Sequence, residues 1–162
     1  MSKIMVLGLG NIVNQDKGLG IYAVRDLYKE QWTTDVRLMD RRMLGDTPLD
    51  LSGVWGLVVL DAWQAGDPPG RLSRLSLKHV MARPFLVSEP ALWRGLALAD
   101  FLGQGPRVVF WGLEAESTGC EIMLSTKVQR AYPGFLQAVR AELFSMIQDF
   151  GLAAPMEEAA SA

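Results

Sequence analysis

The stretch Met1–Gly20, MSKIMVLGLGNIVNQDKGLG, holds a short unbroken apolar run, Ile4 to Leu7, that ends at Gly8 and Gly10. The run is too short for a helix and has no polar alternation, so it reads as a strand buried on both faces, the usual first strand of a parallel sheet. Gly18 and Gly20 precede Ile21, Val24, Leu27 and Tyr28, whose spacing is that of an amphipathic helix. A strand, a glycine-bearing loop and a helix form the opening of an α/β sheet. In such sheets ligands bind in the crevice at the carboxyl ends of the strands.

The rest of the chain repeats that alternation. Val36–Met39 is a second short strand ending at Asp40, and Gly45, Asp46 and Pro48 predict a turn before a short helix near Leu49. Leu57–Leu60 is the strongest later strand, ending at Asp61, and the turn-forming residues of Ala62–Gly70 predict an irregular loop. Arg71–Leu77 alternates as a strand, Pro84 and Pro90 bracket a connection, and Leu92–Leu102 has helical spacing. Arg107–Trp111 is a further buried strand ending at Gly112. Ser125 is placed to cap the last helical region, where Pro133 is expected to divide a turn from a long helix running to Gly151. The predicted fold is a three-layer α/β sandwich, a twisted and mostly parallel sheet with helices on both faces. One domain is expected over residues 1–152, with a disordered tail at 153–162.

Composition excludes several classes of function. With 162 residues, 49% of them apolar, the chain can bury a core without staples, and a net charge of −2 gives no reason to expect nucleic acid. Cys120 is the single cysteine, so no disulfide framework or cysteine metal cluster is expected, as suits a reducing cytoplasm. The amino terminus does not read as a signal peptide, and no apolar run reaches membrane-spanning length.

Asp40, Asp61 and Glu114 lie just beyond predicted strand ends and are expected to converge on one edge of the sheet. Gly8-Leu9-Gly10 also begins a dinucleotide fingerprint, but Val13 stands where a third small residue is needed, and the helix starts too late. Asp40 with Arg41 and Arg42 could mimic a ribose contact with a phosphate clamp, and nucleotide or other anion binding at the basic loop edge, near Gly10 to Gly18, is retained as an alternative.

Five segments in order carry a resemblance to a known family: VLGLGNIV (Val6–Val13) with Asp16, Gly18 and Gly20; LVVLDA (Leu57–Ala62) with AGDPPG after it; LALADFL (Leu96–Leu102); GLEAESTG (Gly112–Gly119); and LSTKV (Leu124–Val128). On these the chain resembles the endopeptidases that mature [NiFe] hydrogenases. The resemblance implies a twisted α/β sheet and removal of a carboxy-terminal extension from the hydrogenase large subunit. Nickel is then a feature of the substrate, and no cofactor is held permanently. It also implies a site with a carboxylate after the first strand, an Asp after the LVVLDA-like strand and a His before the LALADFL-like helix. Carboxylates with imidazole suit a borderline divalent ion.

Against that pattern only Asp61 is kept. Lys17 stands at the first ligand position, Arg94 at the histidine position by ungapped counting, and Arg41 and Arg42 where the family has glycines. A protonated lysine offers three donors and no lone pair, and arginine stays charged, so neither binds a cation. Salt bridges from Lys17 and Arg94 to Asp61 and Asp16 are the expected outcome. Asp61 and Asp16 are the candidate catalytic residues. Asn11, Asp40, Arg41, Arg42, Trp63 and Trp93 are the candidate substrate-binding residues, the two tryptophans flanking Asp61 and Arg94 as possible cleft walls. His79, the single histidine, reads as a surface residue, Cys120 as a small packed one and Trp111 as core. Two functions follow: a protease acting on a nickel-loaded large subunit, or a catalytically silent relative that binds and assists such a partner.

Overall fold

The computed structural model describes residues 1–45 and 47–153. The turn residue Asp46 and, but for Ala153, the tail expected at 153–162 lie outside them.

Five strands form one sheet in the order β2-β1-β3-β5-β4. β1 (Ile4–Gly8), β2 (Val36–Asp40), β3 (Gly56–Trp63) and β5 (Arg107–Glu114) are parallel, and β4 (Leu72–Ser76) pairs antiparallel with β5 at one edge. Alternate strand residues face opposite layers. Ile4, Val6, Val58 and Leu60 pack on α1 (Leu19–Tyr28) and α4 (Thr126–Asp149). Met5, Leu7, Leu57 and Val59 pack on the other side with α2 (Leu77–Ala82) and α3 (Pro90–Phe101). The expected three-layer sandwich is the observed one. Gly8 pairs with Asp40 on one side and with Leu60 on the other, so β1 and β2 end level while β3 runs three residues further, to Trp63. The strand order reverses at β1 and β3, which makes the gap above them the switch-point crevice.

Glycine permits the close approach of α1. A Cβ on Gly20 would lie 2.2 Å from the Leu60 carbonyl oxygen, and one on Gly8 would lie 2.3 Å from that of Gly20. These glycines therefore pack a helix onto two strands and do not build a dinucleotide turn. A separate loop and a 3-10 turn, Gln15–Gly18, stand between β1 and α1.

Several boundaries differ from the sequence reading. β3 runs through Asp61 to Trp63 because β5 continues alongside it, pairing Ala62 with Leu113 and Trp63 with Glu114. The irregular loop therefore begins later than Ala62. No helix forms near Leu49. The helical turn lies earlier, at Arg41–Leu44, because the Asp40 carboxylate accepts from the Arg42 amide and caps it. The sequence reading missed α2, which Ser76 and His79 close at its start in a capping box. His79 is exposed, as expected.

Pro133 does not divide α4, which is continuous for 24 residues. Its ring lies on the exposed side, while Phe135, Val139, Leu143 and Met146 are fully buried on the other, and that packing outweighs one missing backbone bond. Gly134, also exposed, has open space where a Cβ would sit. Gly134→Ala is therefore expected to raise stability by about 0.5–1 kcal/mol, read from chemical unfolding. The helix stops at Gly151, where Leu152 N–H donates to the Ile147 carbonyl and Gly151 N–H to that of Gln148.

Candidate functional site

The crevice above β1 and β3 is a cleft of about 400 Å³ whose wall includes Asn11, Asn14, Lys17, Arg41, Arg42 and Glu89. Its floor is set by how the first loop closes. Gly10, at φ 110°, carries the chain past the Lys17 carbonyl at a distance that a Cβ would reduce to 1.8 Å. Asn11 N–H then donates to that carbonyl at 2.9 Å, and the Asn11 side chain accepts from Val13 N–H in an Asx turn. The loop so closed holds Lys17 over the end of β3.

Lys17 Nζ lies 3.1 Å from Asp61 Oδ1 and also donates to the Ala62 carbonyl. The Asp61 side chain is fully buried and that of Lys17 is 22% exposed. Two further acceptor sites of Asp61 are taken by backbone, Ala62 N–H donating to Oδ1 at 2.9 Å and Ser88 N–H to Oδ2 at 3.0 Å. The carboxylate is thus satisfied by one cation and two amides, and the ion pair expected from the sequence is formed.

The segment before α3 forms the opposite wall. Ser88 is fixed at both ends, its N–H on Asp61 and its carbonyl accepting from Trp93 Nε1 at 2.6 Å. Glu89 follows in the left-handed region at φ 61°, a conformation uncommon for a residue with a side chain. Both its carboxylate oxygens accept from Arg41 Nε at 2.9 Å, while Arg41 Nη1 donates to the Thr47 carbonyl. Arg42 is paired with Asp40 at 2.6 Å, and that hydrogen bond raises the guanidinium above its ordinary pKa.

Other candidates lie elsewhere. Asp16 is fully buried and points away from the cleft entrance into the loop after β5: it accepts from the Glu116, Ser117 and Ser125 amides and from the Ser125 hydroxyl at 2.7–2.9 Å. Its expected partner Arg94 does not reach it. Pro90 starts α3, Trp93 faces the core, and the next residue, about 100° round the helix, is turned to solvent. The expected cleft tryptophans are core residues, Trp63 at 2% exposure and Trp93 at zero, the latter edge-on to Phe110. Trp111 is half-buried against the other layer, and Cys120 is exposed, not packed. Asp40 lies beside the cleft, bound to Arg42. Glu114 ties down the loop after β3 by accepting from the Ala65 and Gly66 amides at 3.0 Å.

Sequence reading missed Ser88 and Glu89. Pro90 was the available signal, since proline favours the first helical position and places the residue before it at the cap.

The cleft does not fit a nickel ion. Among the described residues no three His, Cys, Asp or Glu side chains are grouped to hold a metal. The Lys17 ammonium occupies the approach to Asp61.

No protein-family model matches the chain. It is 33% identical over 112 residues to the hydrogenase expression/formation protein HupD of Thiocapsa roseopersicina, across 65% of this chain and 50% of that one. With HupD of Bradyrhizobium diazoefficiens it shares 30% identity over 112 residues, 65% of this chain and 58% of the relative. The chain spans about half the length of the curated relatives it matches. Among solved structures, the hydrogenase maturating endopeptidase HybD from Escherichia coli superposes with a TM-score of 0.74 at 25% identity, covering 98% of this chain and all of that one. In fold, and in sequence over part of its length, the chain is similar to hydrogenase maturation proteins and endopeptidases. The [NiFe] hydrogenase maturation protease HybD from Thermococcus kodakarensis shares the fold, with a TM-score of 0.63 at 22% identity over 88% of this chain and 99% of that one. No helix among the described residues is long and apolar enough to cross a membrane.

Proposed function

We propose that this protein serves hydrogenase maturation in the cytoplasm by binding a [NiFe] hydrogenase large-subunit precursor at the β1–β3 crevice, without nickel-directed cleavage. It works without a resident cofactor, nickel belonging to the substrate. The family relation supports the hydrogenase partner. The observation that carries the rest is the Lys17 ammonium 3.1 Å from Asp61. A cation at that point repels a second one, and three of the Asp61 acceptor sites are already committed. Asp16, the other carboxylate in the first loop, is consumed by three amides and a hydroxyl. Among the described residues, the cleft lacks the donor set with which a nickel centre could be read.

The test is incubation of the protein with a nickel-loaded large-subunit precursor, followed by size-exclusion chromatography and intact-mass analysis. The expected result is co-elution with the precursor's carboxy-terminal extension intact. Loss of the extension at a rate dependent on Asp61 would overturn the non-cleaving reading, and absence of co-elution would overturn the binding reading.

A further inference from the structure

The cleft wall is rich in hydrogen-bond donors and short of acceptors. Among the described residues, Lys17 Nζ spends two of its three hydrogens on Asp61 and Ala62. Arg41 commits Nε and Nη1, and Arg42 commits Nε and Nη2, so each guanidinium keeps one terminal nitrogen unspent. Among the described residues, the Asn14 side chain and the side-chain nitrogen Nδ2 of Asn11 have no partner within the protein and stand on the same wall. The one carboxylate on the wall among the described residues, Glu89, has both oxygens on Arg41.

We propose that this cleft binds a carboxylate monoanion, the α-carboxylate at the end of a polypeptide chain. Lys17 and Arg41 would be its principal partners, and Arg42 and the two asparagines would lie around it. Charge selects the ligand. Among the described residues, the cations Lys17, Arg41 and Arg42 are balanced by Asp61, Glu89 and Asp40, so these six side chains carry no net charge before binding. A dianion such as phosphate would enter with two uncompensated charges, a carboxylate with one. Charge-assisted bonds from already positioned donors offset a single desolvated charge far more readily than two. Preorganisation favours the same ligand. The Arg41 fork is held flat by Glu89 and by the Thr47 carbonyl, and Lys17 is held by Asp61, so the donors lose little side-chain freedom on binding. A volume of about 400 Å³ takes more than the carboxylate itself, which points to a terminal residue with its neighbour and not to a free small acid. The naming of a polypeptide as the source rests on the maturation reading; the carboxylate chemistry does not.

The probe is N-acetyl-trialanine as its free acid and as its carboxamide, titrated into the ¹⁵N-labelled protein with backbone amide shifts followed by NMR. Inorganic phosphate is titrated in parallel. The free acid is expected to move the Gly10, Asn11 and Ser88 amides and to bind at least about tenfold more tightly than the carboxamide, as loss of one charge-assisted contact requires. Arg41→Gln is expected to remove that preference, and Arg42→Gln, at the more exposed edge, to reduce it while the fold is unchanged. Equal binding of acid and amide, or shifts at those amides from phosphate and not from the peptide acid, would overturn the proposal. If the peptide acid binds and the precursor fails to co-elute, the maturation reading falls and the carboxylate site stands. If the precursor co-elutes and the acid fails to bind, the site alone falls.

Discussion

Asp16→Ala is expected to lower stability by about 3–5 kcal/mol, because three backbone amides and a hydroxyl lose their shared acceptor in a buried position. All four bonds cross from the first loop to Glu116, Ser117 and Ser125, about a hundred residues on. Each stranded donor costs on the order of 1–3 kcal/mol, less where water enters, so the sum is large even after relaxation. For a domain of this size the loss corresponds to a fall in Tm of roughly 10–15 °C, measurable by calorimetry. Asp16→Asn keeps the volume and one oxygen but turns the other position into a donor facing donors. It is expected to recover only part of the loss. A thermal midpoint unchanged by Asp16→Ala would show that this carboxylate does not anchor the loop.

The second large effect is at Lys17. Lys17→Met removes the sole cation from a fully buried carboxylate and is expected to cost about 3–5 kcal/mol, the usual consequence of breaking a buried pair from one side. Asp61→Asn alone leaves the ammonium with the Ala62 carbonyl and partial exposure, so its cost is smaller. In the double variant Lys17→Met, Asp61→Asn no charge is stranded, and stability is expected to lie above that of Lys17→Met. A double-mutant cycle by urea unfolding measures this coupling. Additive effects of the two substitutions would mean that the pair is not an energetic unit.

Where the sequence reading succeeded, the cause was a strong local pattern. Ile4–Leu7, Leu57–Leu60 and Val108–Phe110 are apolar on both faces because helices cover both faces of a parallel sheet, and that signal needs no tertiary knowledge. The ends of β3 and β5 were not visible because they are set by mutual pairing, Asp61 with Gly112 and Trp63 with Glu114, which no single segment records. Pro133 was overweighted as a breaker, since a local propensity yields to a helix face buried along its length.

The site divides the same way. The Lys17–Asp61 pair was legible because the resemblance puts both residues at positions that hold ligands of one ion, so the two side chains were expected to meet. Arg94 was misplaced because counting without a gap ignores where a helix begins, and Pro90 starts α3 early enough to carry Arg94 to the outer face. Trp93 was misjudged for the same reason, one helix position from Arg94 but turned to the core. Asp16 read as a site carboxylate because its partners, backbone amides of a distant loop, have no signature in side-chain identity. Glu89 escaped notice because its orientation comes from a left-handed backbone at a helix cap.

The account turns on Lys17 standing where a divalent ion would need open coordination at Asp61. Calorimetric titration of Ni²⁺ into the native protein, Asp61→Asn and Lys17→Glu tests it most directly. Native protein and Asp61→Asn are expected to give the same trace, with no heat attributable to Asp61. Lys17→Glu, which exchanges the blocking ammonium for a second carboxylate beside Asp61, is expected to gain one saturable site. Stoichiometric nickel binding by the native protein, abolished in Asp61→Asn, would contradict the account and return the cleft to nickel-reading chemistry.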